Sequence, residues 1–244
     1  VYRHKGGRAA GGRAVGFLGE YDALRGQGHG CAHHMQTPAM IGAAMALRGV
    51  LESSDQPFEI HVIGTPSEES LDGGKNEMAA HGGFDHIDVA FMVHGSTLTQ
   101  LETPSLALIE MDVEFHGKTA HAGIAPYAGR SAVDAVTMLQ TGLGLMRNHL
   151  KDSSRVSNIV LAGGTAVNSV PDFAKVKVEI RHSSMAYLES VEQWTREIAQ
   201  AAAMATQTQV QITPVAHIYN TTINDAMGAL LMECAEKFAC DGIA

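Results

Sequence analysis

The chain has 244 residues, 45% hydrophobic and 18% charged, enough to bury a core in one large domain or two ordinary ones. A formal net charge of -9 argues against a nucleic-acid-binding surface, and no apolar run reaches the length of a membrane span, so neither partner is expected. Three cysteines, one inside a histidine cluster, make no disulfide framework and point to a reducing, cytoplasmic setting.

In chain order, residues 14–20 form a short apolar run suited to a buried strand. The loop 21–34 follows and carries Gly28-His29-Gly30-Cys31-Ala32-His33-His34. Imidazole and thiolate are preferred donors for zinc-like cations, and a Cys-x-His step lets one turn supply two ligands. Thr37-Pro38 reads as an N-cap and first helical proline, predicting a helix over 38–51 with Met40, Ala44, Leu47 and Leu51 on one face. A second strand over 58–63 runs into Gly64-Thr65-Pro66-Ser67-Glu68-Glu69. Gly73-Gly74-Lys75 opens a helix to residue 80, and a third strand over 89–93 ends at His94. Alternating strands and helices imply an α/β layer with a mostly parallel sheet.

The pattern changes near Glu102-Thr103-Pro104. From there the reading is strand (106–115), helix (131–150), strand (156–161), strand (174–180), helix (185–205) and strand (208–212). The first helix places Val133, Val136, Leu139, Leu143, Met146 and Leu150 on one stripe. The second does so with Leu188, Val191, Ile198, Ala202 and Ala205. That βαββαβ order is the ferredoxin-like unit. After Pro214 a final helix is capped by Asn224 and turns Met227, Leu231, Cys234 and Phe238 inward. The expected division is 1–104 for a first α/β domain, 105–214 for the second, and 215–244 for a return to the first. Both termini read as cut, which suggests a fragment.

Three strand ends converge on one side of the first sheet: the Cys31/His33 loop, Glu68-Glu69 and His94. Open parallel sheets bind ligands outside the carboxyl ends of their strands. Adjacent glutamates there disfavour each other's ionisation, and a divalent cation resolves that cost. One carboxylate can then bind metal while the other serves as general base. A cysteine nucleophile at Cys31 is the rival chemistry.

The motifs Gly19-Glu20-Tyr21-Asp22-Ala23-Leu24, GHGCAHH, Gly64 to Glu69, Gly73-Gly74-Lys75 and Met92-Val93-His94 resemble the metallo-aminoacylase/carboxypeptidase family. The likeness is greatest to its amidohydrolase branch, which includes p-aminobenzoyl-glutamate hydrolase, the indole-acetyl-amino-acid hydrolases and β-alanyl-lysine dipeptidases. It continues through Phe115 to Ala122, Pro126, Gly129 to Ala135 and Asn168 to Asp172. The resemblance implies a metallopeptidase-like catalytic domain with an inserted lid and dimerisation domain. It implies hydrolysis of N-acyl amino acids or small dipeptides, p-aminobenzoyl-glutamate-like or β-alanyl-lysine-like, by a metal-activated water. It assigns Cys31, His33, Glu69 and His94 as metal ligands and Glu68 as general base. His121 would reach the partner subunit's active site to stabilise the oxyanion, while Asn168 and Arg181 would contact substrate. Two ions, Zn or Mn, per complete subunit and a homodimer through the lid are further implications. The family pattern has glycine where this chain has Ala32, Asp or Asn where it has His34, and proline where it has Arg25. Its last metal ligand is a histidine in a later segment; His217 lacks the spacing to replace it and reads as structural. Those departures motivate the alternative of a non-catalytic homologue that binds ligand or dimerises.

Overall fold

The computed structural model describes residues 2–6, 12–70, 73–97, 100 and 104–237. The chain divides into two compact units. One runs to Gln100 and resumes at Cys234, and the other spans Leu101–Glu233.

The first unit is built on a sheet of β1 (Tyr2–Gly6), β2 (Arg13–Glu20), β3 (Phe58–Thr65) and β4 (Val89–Phe91), in the order β1-β3-β2-β4. β2 is central and runs parallel to both β3 and β4, so it reads as a near-continuous apolar strand rather than an alternating one. β1 pairs antiparallel with β3 at the edge. Its sequence, Tyr-Arg-His-Lys-Gly, is polar enough that no strand was expected there. Helix α1 (His33–Leu51) lays Met40 and Ala44 against Phe17, Phe58 and Ile60, with Leu47 and Leu51 packed beside them. The helix thus presents the expected face but begins five residues early: Pro38 lies inside it, and Thr37 bonds to β2 instead of capping. α2 (Gly74–Ala80) precedes β4, which stops short of the expected residue 93.

The second unit contains β5 (Ala107–His116), α3 (Ala132–Met146), β6 (Arg155–Ala162), β7 (Phe173–His182), α4 (Met185–Thr206) and β8 (Gln209–Ile218). Its sheet, β6-β7-β5-β8, is antiparallel throughout, which is the ferredoxin-like arrangement. Strict period-two alternation along β5 and β7 sends Ile109, Met111, Val113, Phe115, Ala174, Val176, Val178 and Ile180 into a core shared with Leu139, Leu143, Met146, Leu188 and Val191. The other face carries a charge ladder in which Lys175 meets Asp112 at 2.7 Å and Lys177 meets Glu110 at 2.5 Å. Ser131 and Ser184 cap α3 and α4 through their hydroxyls, accepting from Asp134 N–H and Tyr187 N–H. α3 ends at Met146 rather than 150 and tightens into a 3₁₀ turn. Ala205 is exposed, and Ala199 and Ala203 take the place expected of it in the core.

β8 extends six residues past its expected end because β5 offers ten residues to pair with it. The second unit accordingly keeps the chain to Glu233, where the sequence reading returned it to the first domain at 215. Asn224 Oδ1 accepts from Met227 N–H and caps α5 (Asp225–Lys237) as expected. Met227 and Leu231 are half-buried, whereas Cys234 is exposed; Phe238, Cys240 and the 241–242 turn lie outside the described residues, as do Glu102 and Thr103.

Candidate metal centre and active site

The centre is assembled at the carboxyl end of β2. Glu20 N–H donates to Gln36 Oε1 (3.0 Å), and Thr37 Oγ1 donates to the Glu20 carbonyl (2.6 Å), so the strand end is clamped to the first turns of α1. Between them Ala32 sits in the left-handed region at φ 66°, the sharp turn that places His33 as the first helical residue. His33 is 1% exposed. Its Nδ1 lies 3.0 Å from the Asp22 carbonyl, which can only accept, so Nδ1 carries the proton and Nε2 presents a lone pair. His94 repeats the device, with Nδ1 2.8 Å from the Gly95 carbonyl. Its Nε2 is 3.5 Å from Cys31 Sγ. Donor atoms of Cys31, His33 and His94 all fall within 4.8 Å of one another.

The carboxylates arrive from the turn after β3. Ser67 takes φ 56°, and Gly74 lets that turn approach α2, since a Cβ there would stand 1.9 Å from the Pro66 carbonyl oxygen. Glu69 N–H donates to Asp22 Oδ2 (2.9 Å), tying this turn to the histidine loop. Glu68 Oε2 and Glu69 Oε1 each lie 3.8 Å from His33 Nε2. Glu20 Oε2 is closer, at 3.1 Å, while the Lys75 ammonium pairs with Glu20 Oε1. The structure thus brings all five expected residues of this unit together: Cys31, His33, Glu68, Glu69 and His94. Sequence reasoning gave no role to Glu20, Asp22, Gln36 or Lys75. Three of these sit within the quoted Gly19–Leu24 and Gly73–Lys75 motifs, and that position was the available signal.

Burial, reinforced by Glu20 and Glu69 and opposed by Lys75 and His33, raises Glu68 from its ordinary value, the direction that suits a proton acceptor. Burial and the neighbouring Glu69, Glu68 and Glu20 carboxylates push the Cys31 thiol up to about 11. An unaided nucleophilic cysteine needs the opposite shift. Burial pushes Asp22 up, but backbone N–H groups, that of Glu69 foremost, together with His33 outweigh it and hold the carboxyl low.

The donor set fits a zinc- or manganese-type cation. His33 Nε2, Glu69 Oε1 and Glu20 Oε2 are buried and make no hydrogen bond, a combination rare in proteins unless something else engages them. Two imidazole nitrogens with protonated far sides, a thiol and a carboxylate are suitable donors for such an ion.

In the second unit His121 and Asn168 share one platform. The Asn168 carbonyl accepts from Ala122 N–H (2.9 Å), His121 bridges to Ser169, and both site side chains are exposed. Arg181 does not join them. The β5–β7 register runs from His116/Phe173 at their end to Leu108/Arg181 at the other, about 26 Å apart at roughly 3.3 Å per residue. There its guanidinium donates to both Glu179 carboxylate oxygens, at 2.7 and 3.0 Å.

Residues 107–207 match the peptidase dimerisation domain of the M20 type. Over 240 residues the chain is 35% identical to the Xaa-Arg dipeptidase of Mus musculus, a match covering 96% of this chain and 56% of that protein. The chain belongs to the M20 peptidase family. Another relative, a p-aminobenzoyl-glutamate hydrolase polypeptide of Escherichia coli K12, is 32% identical over 236 residues, 87% of this chain and 49% of that one. The chain therefore spans about half the length of the curated relatives it matches. Among solved structures, the aminobenzoyl-glutamate utilization protein of Klebsiella pneumoniae superposes with a TM-score of 0.76 at 25% identity, covering 99% of this chain and 60% of that one. A dinuclear metal-binding M20 peptidase of Bacillus subtilis shares the fold at a TM-score of 0.70 and 19% identity, over 97% of this chain and 66% of that one. The expected architecture, a mostly parallel metallopeptidase-like sheet with an inserted ferredoxin-like dimerisation domain, is therefore the one this M20 chain has.

Proposed function

We propose that the complete protein is a metal-dependent amidohydrolase that cleaves the amide of N-acyl amino acids or small dipeptides. One observation carries the reading: a thiol, two pre-oriented imidazole Nε2 atoms and a glutamate meet at one end of the sheet beside a second glutamate whose pKa is raised. Cys31, His33, Glu69 and His94 would hold the cation, two Zn or Mn ions serving a complete subunit. A bound divalent cation supplies Lewis-acid polarisation of the scissile carbonyl and lowers the pKa of water. Glu68 takes the proton of the attacking water and returns it to the leaving amine. His121 donates to the oxygen on which negative charge develops, an interaction typically worth about 3–4 kcal/mol. Asn168 and Arg181 bind substrate, and Arg181 exchanges Glu179 for a substrate carboxylate, a fork-to-fork match that lysine could not make.

His121 and Arg181 stand at opposite ends of one sheet, so a single copy cannot apply both to one small substrate. A homodimer resolves this, with His121 and Asn168 serving the partner's site. Edge strand β6 is the suited contact: Ile159 and Leu161 are 59% and 51% exposed, and the ladder is regular from Arg155 to Val160, its one shift lying at the strand's end between Val160 and Ala162. The opposite edge, β8, carries Pro214, which has no N–H to donate, and its register shift falls in mid-strand rather than at an end, so it is the less suited to strand addition. A reducing cytoplasm would keep the Cys31 thiol available, and no described helix is long and apolar enough to cross a membrane.

The test is chelation of the full-length protein. Hydrolysis of p-aminobenzoyl-glutamate, β-alanyl-lysine or an Xaa-Arg dipeptide should disappear and return with Mn²⁺ or Zn²⁺. Turnover persisting in protein shown metal-free by elemental analysis overturns the reading.

A further inference from the structure

Glu20 is a buried carboxylate with one oxygen satisfied and the other not. It is 2% exposed; its Oε1 pairs with Lys75, while Oε2 makes no hydrogen bond. That free oxygen lies 3.1 Å from His33 Nε2, nearer than either Glu68 or Glu69. The approach is an ion-pair distance without hydrogen-bonding geometry, and the proton of the His33 ring is committed to the Asp22 carbonyl on the other side. In the neutral ring a lone pair facing a carboxylate oxygen is repulsive, and neither atom has water access to relieve it. Glu20, His33 and Glu68 donor atoms also fall within 4.8 Å of one another, a second grouping that could hold an ion.

We propose that Glu20 is a further oxygen donor to the cation bound by His33 Nε2, with Lys75 anchoring the carboxylate so that only Oε2 faces the ion. The proposal rests on the metal-binding reading above. It gives the centre a second hard oxygen donor beside the Glu69 carboxylate. Such a donor favours Mn²⁺ and Co²⁺ relative to Zn²⁺, because carboxylate oxygen suits the harder ions while thiolate and imidazole already satisfy zinc. Clamping by Gln36 and Thr37 fixes the Glu20 backbone, so the donor is pre-positioned rather than recruited.

The experiment is metal titration of the metal-free protein by calorimetry, together with the visible absorption spectrum of the Co²⁺ form. Wild type is compared with Glu20→Gln, Glu20→Asp and Glu20→Gln/Lys75→Met. The double variant removes the pair as neutral groups, so no unpaired, half-buried ammonium remains to disturb folding, and far-UV circular dichroism verifies it. Glu20→Gln and the double variant should bind Mn²⁺ about tenfold to a hundredfold more weakly, with a smaller loss for Zn²⁺. Their Co²⁺ spectra should gain intensity in the d–d bands as coordination number falls, while Cys31 thiolate charge transfer persists. Glu20→Asp should fall between. If wild type binds metal and the folded variants match its affinities and spectrum, this assignment is wrong and the metal-binding reading stands. If wild type binds no metal, both fall.

Discussion

The two sheets of this protein treat buried polarity in opposite ways. Among the described residues, every buried side-chain polar atom without a hydrogen-bond partner lies in the first unit, Asp112 Oδ1 excepted. The second unit keeps an apolar core on one face and a matched ladder of lysines and acids on the other. Unsatisfied buried groups cost about 1–3 kcal/mol each, so the first unit gives up stability at the strand ends where its chemistry is gathered. The second is a scaffold, with His121 and Asn168 exposed on its loops and Arg181 half-buried at a strand end.

This contrast can be broken in graded steps. The largest effect is expected at Glu68: Glu68→Gln should lower kcat about 10²- to 10⁴-fold in the full-length enzyme while metal titration stays unchanged. A parallel loss of metal would show that Glu68 is a ligand instead. In the second unit Leu139→Ala removes a side chain with no exposure and should cost about 2–5 kcal/mol by denaturant titration. Met40→Ala in the shallower first core should fall at the low end of that range. At the β6 edge, Ile159→Lys should shift sedimentation toward monomer, whereas Val215→Lys on β8 should leave it unchanged.

Two smaller effects sharpen the picture at the site itself. Ala32→Gly relieves the left-handed backbone but adds unfolded-state freedom, for a net stabilisation of about 0.5–1 kcal/mol in thermal melts. Asp22 is held below its ordinary 3.8, so the stabilisation it provides is present above that pH and is lost as pH falls through the lower folded value. Asp22→Asn should flatten the acid limb of a stability–pH profile of the metal-free protein.

Much of this was legible in the sequence, for physical reasons that also mark where reading stops. The stripes of α3 and α4 and the alternation of β5 and β7 announce themselves because one face is buried. The ligand constellation is legible because thiol, imidazole and paired acids have few other reasons to share strand ends. Pro38 misled the reading: proline favours a helix start, yet the Thr37 hydroxyl serves β2, and α1 begins at a histidine with no side-chain cap. β1 was missed because an edge strand needs no apolar pattern when Arg3 and Lys5 pair with Glu59 on its neighbour. Glu20 and Asp22 were overlooked because their importance lies in atoms that contact His33, and spacing along a chain does not reveal such contacts.

The inequality of the second sheet's rims also bears on how many copies the proposed β6 pairing would join. Pro214 makes β8 the less receptive rim, and under the proposed pairing a visitor docking on β6 by its own β6 would use up that edge on both molecules. In that proposed pairing growth would halt at two copies, with no β6 edge left from which a fibre could lengthen.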